Sequence, residues 1–482
     1  MISVQPLDLL RILPQIVLAT FALAVMVLEP FLPATRKRWL AWLSLAGMAL
    51  AGAAVIWTSR APGMAFGGAV AADYFSLFFI TVFLLVGALT VLGSTDYLAR
   101  DNIHHGEFYA LILLGTVGMC FMAASTELVL IFLGLEISSI STYILAGFRR
   151  TEAPSLEASL KYFLLGSFAT AFFLYGIAFV YGMTGTTNLI ALSERLGHPG
   201  AWTLLMRVAL VLIFVGLAFK VSAVPFQIWT PDVYQGAPAP VTALLSTGPK
   251  AAAFAILLRL LLGSFHGAGE FAFWLPWISA VLTMTVGNLA ALWQSNVKRL
   301  LAYSSIAHAG YILVGLAAGG REGTASVLFY LAAYAVMNVG VFVLIAYLAG
   351  ARERTMNIQD YIGLGYERPA MAACLSLFLL ALAGIPATAG FFAKFYIFRA
   401  AVHSHLIGLT IVAVLNSVIS LYYYLKLIVA MYMTEGKSEV GGASIPLPVR
   451  AVLAVSVLGI FYLGLFPKHV LAFANLAGFP LP

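Results

Sequence analysis

Apolar residues in this chain run on almost unbroken between short polar clusters, near residues 9–32, 39–58, 74–95, 108–124, 128–147, 160–183, 203–225, 238–263, 272–293, 300–318, 325–349, 370–399, 404–433 and 448–467. A bilayer crossing takes about 20 apolar residues as a helix, so each run predicts one transmembrane helix. Fourteen such helices make an all-α membrane protein. The first run opens Leu9-Leu10-Arg11 and closes at Glu29-Pro30. Its length and its lack of a small-residue cleavage site predict a retained helix rather than a secretory leader.

Composition narrows the class further. Of 482 residues, 62% are hydrophobic and 9% are Asp, Glu, Lys or Arg, against about 25% charged in a soluble domain. No room remains for a water-soluble domain beside the helices. The formal charge of +7 is read as loop charge beside membrane spans. No basic block longer than Arg36-Lys37-Arg38 exists, which sets nucleic acid aside. Cys120 and Cys374 are far apart in apolar runs, so neither a disulfide framework nor iron–sulfur spacing is present. Neither a Walker loop nor a glycine-rich dinucleotide turn occurs, and no cofactor is expected in this chain.

Orientation follows from the basic residues of alternate loops. One set holds 14 of the 26, including Arg36 to Arg38, Arg100, Arg149, Lys298, Arg299 and Arg352; the other holds 8, including Arg11, Arg195, Arg259 and Arg321. The richer set is assigned to the inner face of the membrane. Both termini are then expected on the outer face.

Two spans are interrupted alike. The seventh reads Leu-Ala-Phe-Lys220-Val-Ser-Ala-Val-Pro225, and the twelfth reads Leu-Ala-Gly384-Ile-Pro386-Ala-Thr-Ala-Gly390-Phe-Phe-Ala-Lys394. Broken backbone at membrane depth is tolerated only where protein or water satisfies it. The recurrence five spans apart predicts two inverted five-helix repeats, each with one broken helix, as in transporters. The expected organisation is residues 1–105 with three helices, 106–265 with helices four to eight, 266–435 with helices nine to thirteen, and 436–482 with helix fourteen.

Besides Lys426 near the inward end of the thirteenth span, four charges lie deep inside spans: Glu136 in the fifth, Lys220 in the seventh, Lys250 in the eighth and Lys394 in the twelfth. At about 2.5–3.5 kcal/mol each, burying them costs on the order of 10 kcal/mol on insertion scales. Such a cost implies pairing or use. A structural reading makes Glu136 and Lys220 an inert ion pair. Lys250 has no acid in its own span, which weakens that reading for it. Lys426 and Lys298 read as membrane-edge anchors, Arg299 likewise. His308 stands between a satisfied core histidine and a proton relay. Desolvation lowers a lysine's pKa and a carboxylate raises it, so lysines in series with movable partners can hand protons across a bilayer.

The stretch from Phe219-Lys220 through Pro225-Phe226-Gln227-Ile-Trp229-Thr-Pro231-Asp232-Val-Tyr234-Gln-Gly236-Ala-Pro238-Ala-Pro240 resembles the signature of subunit N of bacterial NADH-quinone oxidoreductase, respiratory complex I. Lys298-Arg-Leu-Leu-Ala-Tyr303-Ser-Ser-Ile-Ala-His308 and Leu382-Ala-Gly-Ile-Pro386 through Lys394-Phe-Tyr396 are similar to two further motifs of that family. The resemblance implies an antiporter-like subunit in which Glu136 pairs with Lys220, Lys250 is the central relay and Lys394 leads to the outer face. Lysine at 394 and the short C-terminus resemble N rather than its siblings M and L. Gln227 departs from the histidine common in the family. A glutamine does not titrate near neutral pH, so no proton route through that side chain is expected. Asp232 reads as a loop-structuring residue.

The resemblance implies a subunit that moves protons outward, driven by electron transfer from NADH through FMN and iron–sulfur clusters to quinone in partner subunits. Its partners would be the other membrane subunits, including antiporter-like siblings. The alternatives are a subunit of a cation/proton antiporter or membrane-bound hydrogenase, and a non-pumping structural module.

Overall fold

The computed structural model describes residues 5–33, 36–440 and 444–477. The first seven crossings are α1 (Leu13–Leu28), α2 (Arg38–Thr58), α3 (Tyr74–Arg100), α4 (Glu107–Ala124), α5 (Leu128–Ala146), α6 (Ala153–Thr184) and α7 (Leu204–Val221). A short helix α8 (Trp229–Gly236) follows the break after α7. Next come α9 (Ala239–Arg259), α10 (Glu270–Leu292), α11 (Val297–Ala318) and α12 (Gly320–Leu348). The chain ends with α13 (Pro369–Ala383), α14 (Ala389–His403), α15 (Ile407–Met433), α16 (Leu447–Leu465) and the short α17 (Pro467–Ala477).

Thirteen helices among the described residues are long and apolar enough to cross a membrane. The remaining crossing is the expected broken twelfth, made of α13 and α14 with 15 residues each. At 1.5 Å per residue neither half spans a hydrocarbon core of about 30 Å alone. The apolar runs therefore map one to one onto crossings. The separate α8 was not expected, because Thr230, Asp232 and Gln235 break its apolar pattern.

Hydrocarbon supplies no hydrogen bonds, so helix ends must be closed by the protein itself. The start of α3 is closed by Asp73, which accepts from Ser76 N at 2.7 Å while Ser76 Oγ returns to Asp73 N. Glu127 closes α5 by accepting from Leu130 N at 2.8 Å. At the break after α7, Ser222 takes the left-handed conformation (φ 65°), and Trp229 Nε1 donates back to Phe219 O at 3.0 Å. At the break after α13, Gly384 takes it (φ 90°), and Lys394 Nζ donates back to Ala383 O at 2.8 Å. In each case a side chain beyond the break covers a carbonyl before it.

Packing sorts the helices by depth. α9 is buried along its whole length, and α11 and α12 bury nearly all of their most apolar stretch, while α15 buries only about a third of its own. The first three form the centre of the bundle. The backbones of α4 and α5 touch where Gly118 faces Gly134: a Cβ on Gly118 would lie 2.6 Å from Gly134 O, the close approach that small residues give membrane helices.

Charged loops sort to two ends. One end carries both described termini, as an even number of crossings requires. It holds the hairpin of β1 (Gly63–Ala65) and β2 (Val70–Ala72), Arg11 on Ala61 O, and Arg321 on Asn475 O. There Arg259, buried at the end of α9, pairs with Asp73 at 2.9 Å. The opposite end gathers Arg100, Arg149, Lys298 and Arg299. Asp232 of α8 lies at that end between Lys161 (2.7 Å) and Arg299 (2.6 Å), tying the broken crossing to α6 and α11.

These two pairs are a third or more exposed at most of their side chains, so solvent screening leaves each only a small contribution. Asp232→Asn should lower the melting temperature of the purified protein by a few degrees at low salt. The deficit should shrink in molar salt, where screening already weakens the native pairs. Scanning calorimetry or fluorimetry at two ionic strengths checks this; a deficit unaffected by salt would rule out an electrostatic tie.

Candidate functional site

Lys220 sits next to the end of α7, so the break places its ammonium among side chains of α5 and α6. Its Nζ donates to Ser139 Oγ at 3.0 Å and to Tyr162 OH at 3.1 Å, and it lies 5.3 Å from the Tyr162 ring centre. Tyr162 stacks on Trp229 of α8 with ring centres 4.4 Å apart. The break and the lysine's seat are thus one packed unit.

Among the described residues Glu136 and Lys220 make no direct ion pair, and the ammonium is held by neutral oxygens. The buried positions of α5 around it are Leu135, Ser138, Ser139, Ser141 and Thr142, while Leu133, Ile137 and Ile140 are exposed. Glu136 falls at the boundary of the two faces. Its Oε1 is buried without a hydrogen-bond partner, and Ser139, one turn on, takes the ammonium instead.

Lys250 lies in the centre of the bundle. Its Nζ donates to Ser305 Oγ at 2.6 Å and Ser305 O at 3.0 Å, and among the described residues it has no carboxylate partner. Pro249, just before it, lacks the N–H that would close a helical bond within α9. Its seat is therefore two oxygens of a neighbouring helix, not an ion pair.

From Ser305, α11 carries polar side chains at three-residue steps, Ser305, His308 and Tyr311, on one buried face. His308 Nδ1 lies 2.7 Å from Tyr330 OH and Nε2 lies 3.1 Å from Tyr424 OH. The Tyr424 hydroxyl in turn bonds Ser304 Oγ. Neutral imidazole donates from one nitrogen and accepts at the other. His308 is thus a satisfied buried histidine and, by the same bonds, the middle of a hydroxyl–imidazole–hydroxyl line.

Lys394 follows the second break. Besides Ala383 O it donates to Ser417 Oγ at 2.9 Å, and its Nζ lies 5.1 Å from the Tyr311 ring centre. Tyr311 OH accepts from Asn288 Nδ2 at 3.0 Å, and Tyr423 OH donates to Asn288 Oδ1 at 3.0 Å. Lys250 and Lys394 thus border one polar seam lined by α11 and α15. Gln227 lies outside it, with its Oε1 buried and unpartnered.

Lys298 is a correction to the anchor reading, for it is fully buried. Its Nζ donates to Ala237 O at 2.5 Å and Glu353 Oε2 at 2.7 Å. Glu353 also accepts from Tyr97 OH and Ala239 N, each at 2.7 Å, and pairs with Arg149 at 2.8 Å. Burial pushes the Glu353 carboxyl up, but Lys298 and Arg149 outweigh it and hold the group below the usual carboxylate range. Its share of stability is therefore present above that range and lost as pH falls through the depressed value. Sequence reading passed over Glu353, since an acid between Arg352 and Arg354 in a loop looks solvated. It also passed over Ser139, Tyr162, Ser305, Tyr424 and Ser417. The three-residue spacing on α11 is the one local signal that could have found part of this set.

Among the described residues no three His, Cys, Asp or Glu side chains are grouped to hold a metal ion. The family profile described as NADH:quinone oxidoreductase/Mrp antiporter, TM, matches residues 125–420, which contain Glu136, Lys220, Lys250, His308 and Lys394. The chain is 49% identical over 473 residues to NADH-quinone oxidoreductase subunit N 1 of Solibacter usitatus, covering 98% of this chain and 97% of that protein. A chain of respiratory complex I from Thermus thermophilus superimposes with a TM-score of 0.81 at 37% identity, over 95% of this chain and 98% of that one. A chain of an archaeal membrane-bound sulfane sulfur reductase superimposes with a TM-score of 0.85 at 28% identity, over 98% and 96% of the two chains. The fold is thus shared with more than one respiratory complex, and the sequence decides among them: the chain belongs to the subunit N family of NADH-quinone oxidoreductase, respiratory complex I.

Proposed function

We propose that this membrane subunit of complex I carries protons outward through its buried lysines, driven by electron transfer from NADH to quinone in subunits that hold FMN and iron–sulfur clusters. The observation that carries the reading is the seat of Lys250: a buried ammonium held by two serine oxygens with no carboxylate partner. An inert buried cation is expected to be paired. One held by neutral oxygens alone can lose its proton without stranding a counter-charge.

The route runs from the Lys/Arg-rich end past Lys220, with Ser139 and Tyr162 as its acceptors, to Lys250. It continues along Ser304, Tyr424 and His308, and leaves by Lys394. Glu136, beside but not on Lys220, biases that lysine electrostatically, and a side-chain shift to form the pair is the switching step. The two broken crossings, each with a lysine at the break, support paired inverted units (106–265 and 266–435). The distribution of basic residues between the two sets of loops supports a Lys/Arg-rich end inside and both termini outside. Neighbouring membrane subunits, antiporter-like siblings among them, cover the partly exposed face that carries Glu136.

Arginine keeps the charge of Lys250 but binds its proton about a hundredfold more tightly or better. In the assembled complex, reconstituted in vesicles, Lys250→Arg should therefore cut the protons moved per electron while quinone reduction persists in the presence of an uncoupler. Normal pumping by this variant would make the lysine structural.

Each outward proton works against about 2.3 kcal/mol per 100 mV. Lys394→Met removes both the last carrier and its positive charge as a barrier to back-leak. Membranes with this variant should lose pumping more than quinone reduction, and cysteine labelling should find the loop holding Arg352 accessible from inside only. Equal retention of both activities, or outside labelling of that loop, would reject the route.

A further inference from the structure

Glu353 is unusual in three respects at once. It is a carboxylate with a side chain only 5% exposed, it takes donors from four separate segments, and it sits beside Arg352 with both residues in the left-handed region (φ 50° and 57°). L residues in that region are strained. Strain of this kind persists only where the surroundings over-determine it, and here the four donors do so.

Two of the donors are the origins of the two helices that hold the central lysine. Ala239 N begins α9, which carries Lys250 three turns later; Lys298 begins α11, which carries Ser305 two turns later. Lys298 Nζ also holds Ala237 O, in the link between α8 and α9. Asn296 and Asn357 form a bridge, and Val297 N donates to Met356 O at 2.7 Å, which fastens the loop of Glu353 to the start of α11. One carboxylate thus ties both helix starts, and the helices meet again where Lys250 Nζ reaches Ser305 Oγ.

We propose that Glu353 is a positioning residue for the proton relay: by holding Ala239 N and Lys298 together it sets the register of α9 on α11, and with it the seat of Lys250 on Ser305. This rests on the relay reading of Lys250 given above. Arg149 and Tyr97 complete the carboxylate's shell without touching the path, and Asp101, 3.6 Å from Arg149, balances that second cation.

The test uses the intact purified complex and reads two quantities. Glu353→Gln keeps the size of the side chain but loses its charge, and Glu353→Asp keeps the charge on a shorter arm. Hydrogen–deuterium exchange at the first turns of α9 (239–242) and α11 (297–300) should rise about tenfold or more in the glutamine variant, the factor expected for loss of one charged hydrogen bond. It should rise less in the aspartate variant, and α1 should not change in either. Protons moved per electron should fall in the same order. Unchanged exchange at both helix starts overturns the proposal whatever the pumping shows. Raised exchange with normal pumping overturns the positioning role and leaves Glu353 a tie between the helices only, while Lys250→Arg decides separately whether Lys250 lies on the path. If the glutamine variant does not assemble, the aspartate variant carries the same two readings, and its failure to raise exchange is likewise decisive against the tie.

Discussion

An ammonium group inside hydrocarbon must be given oxygen atoms by the protein, and most of this architecture follows from meeting that demand three times. Lys220 receives Ser139 and Tyr162, Lys250 receives Ser305, and Lys394 receives Ala383 O and Ser417. Each seat lies on a helix other than the lysine's own, apart from the carbonyl freed by a break. No seat exists until the bundle has packed. The polar chemistry therefore depends on tertiary structure, and the centre of the bundle has to be dense enough to exclude competing water.

The two breaks serve this demand in different ways. After α7 the indole of Trp229 covers the freed carbonyl, which leaves Lys220 to polar side chains alone. After α13 the lysine itself covers it, so Lys394 is held by main chain as well as by Ser417. The Lys394 ammonium is thus bound to a backbone dipole that Lys220 does not touch. That asymmetry suits the exit role proposed for Lys394, since an exit group has to hold its charge against back-flow.

The crossings were legible because hydropathy acts on runs of about twenty residues and needs no knowledge of neighbours. Lys220, Lys250 and Lys394 were legible for a related reason, since a charge within such a run is costly wherever it packs. Their partners were not. Serine and tyrosine are ordinary in membrane helices, and Ser305 meets Lys250 across 55 positions of sequence while Tyr424 meets His308 across 116. Lys298 and Glu353 misled for the opposite reason: at the edge of a span the solvated and the buried reading cost the same in sequence, and only packing chooses. Which neighbour on α5 receives Lys220, Glu136 or Ser139 one turn on, is a distinction no hydropathy pattern resolves.

The complete burial of α9 has a consequence for biosynthesis. When this segment leaves the ribosome, α11 and α12 have not been made, and Ser305 is not there to receive Lys250. A helix carrying an internal proline and an unpaired lysine is a poor substrate for release into lipid on its own. Its lysine gains its seat only when helices made later have packed against it, so the segment that ends up deepest is the one whose polar chemistry is satisfied last.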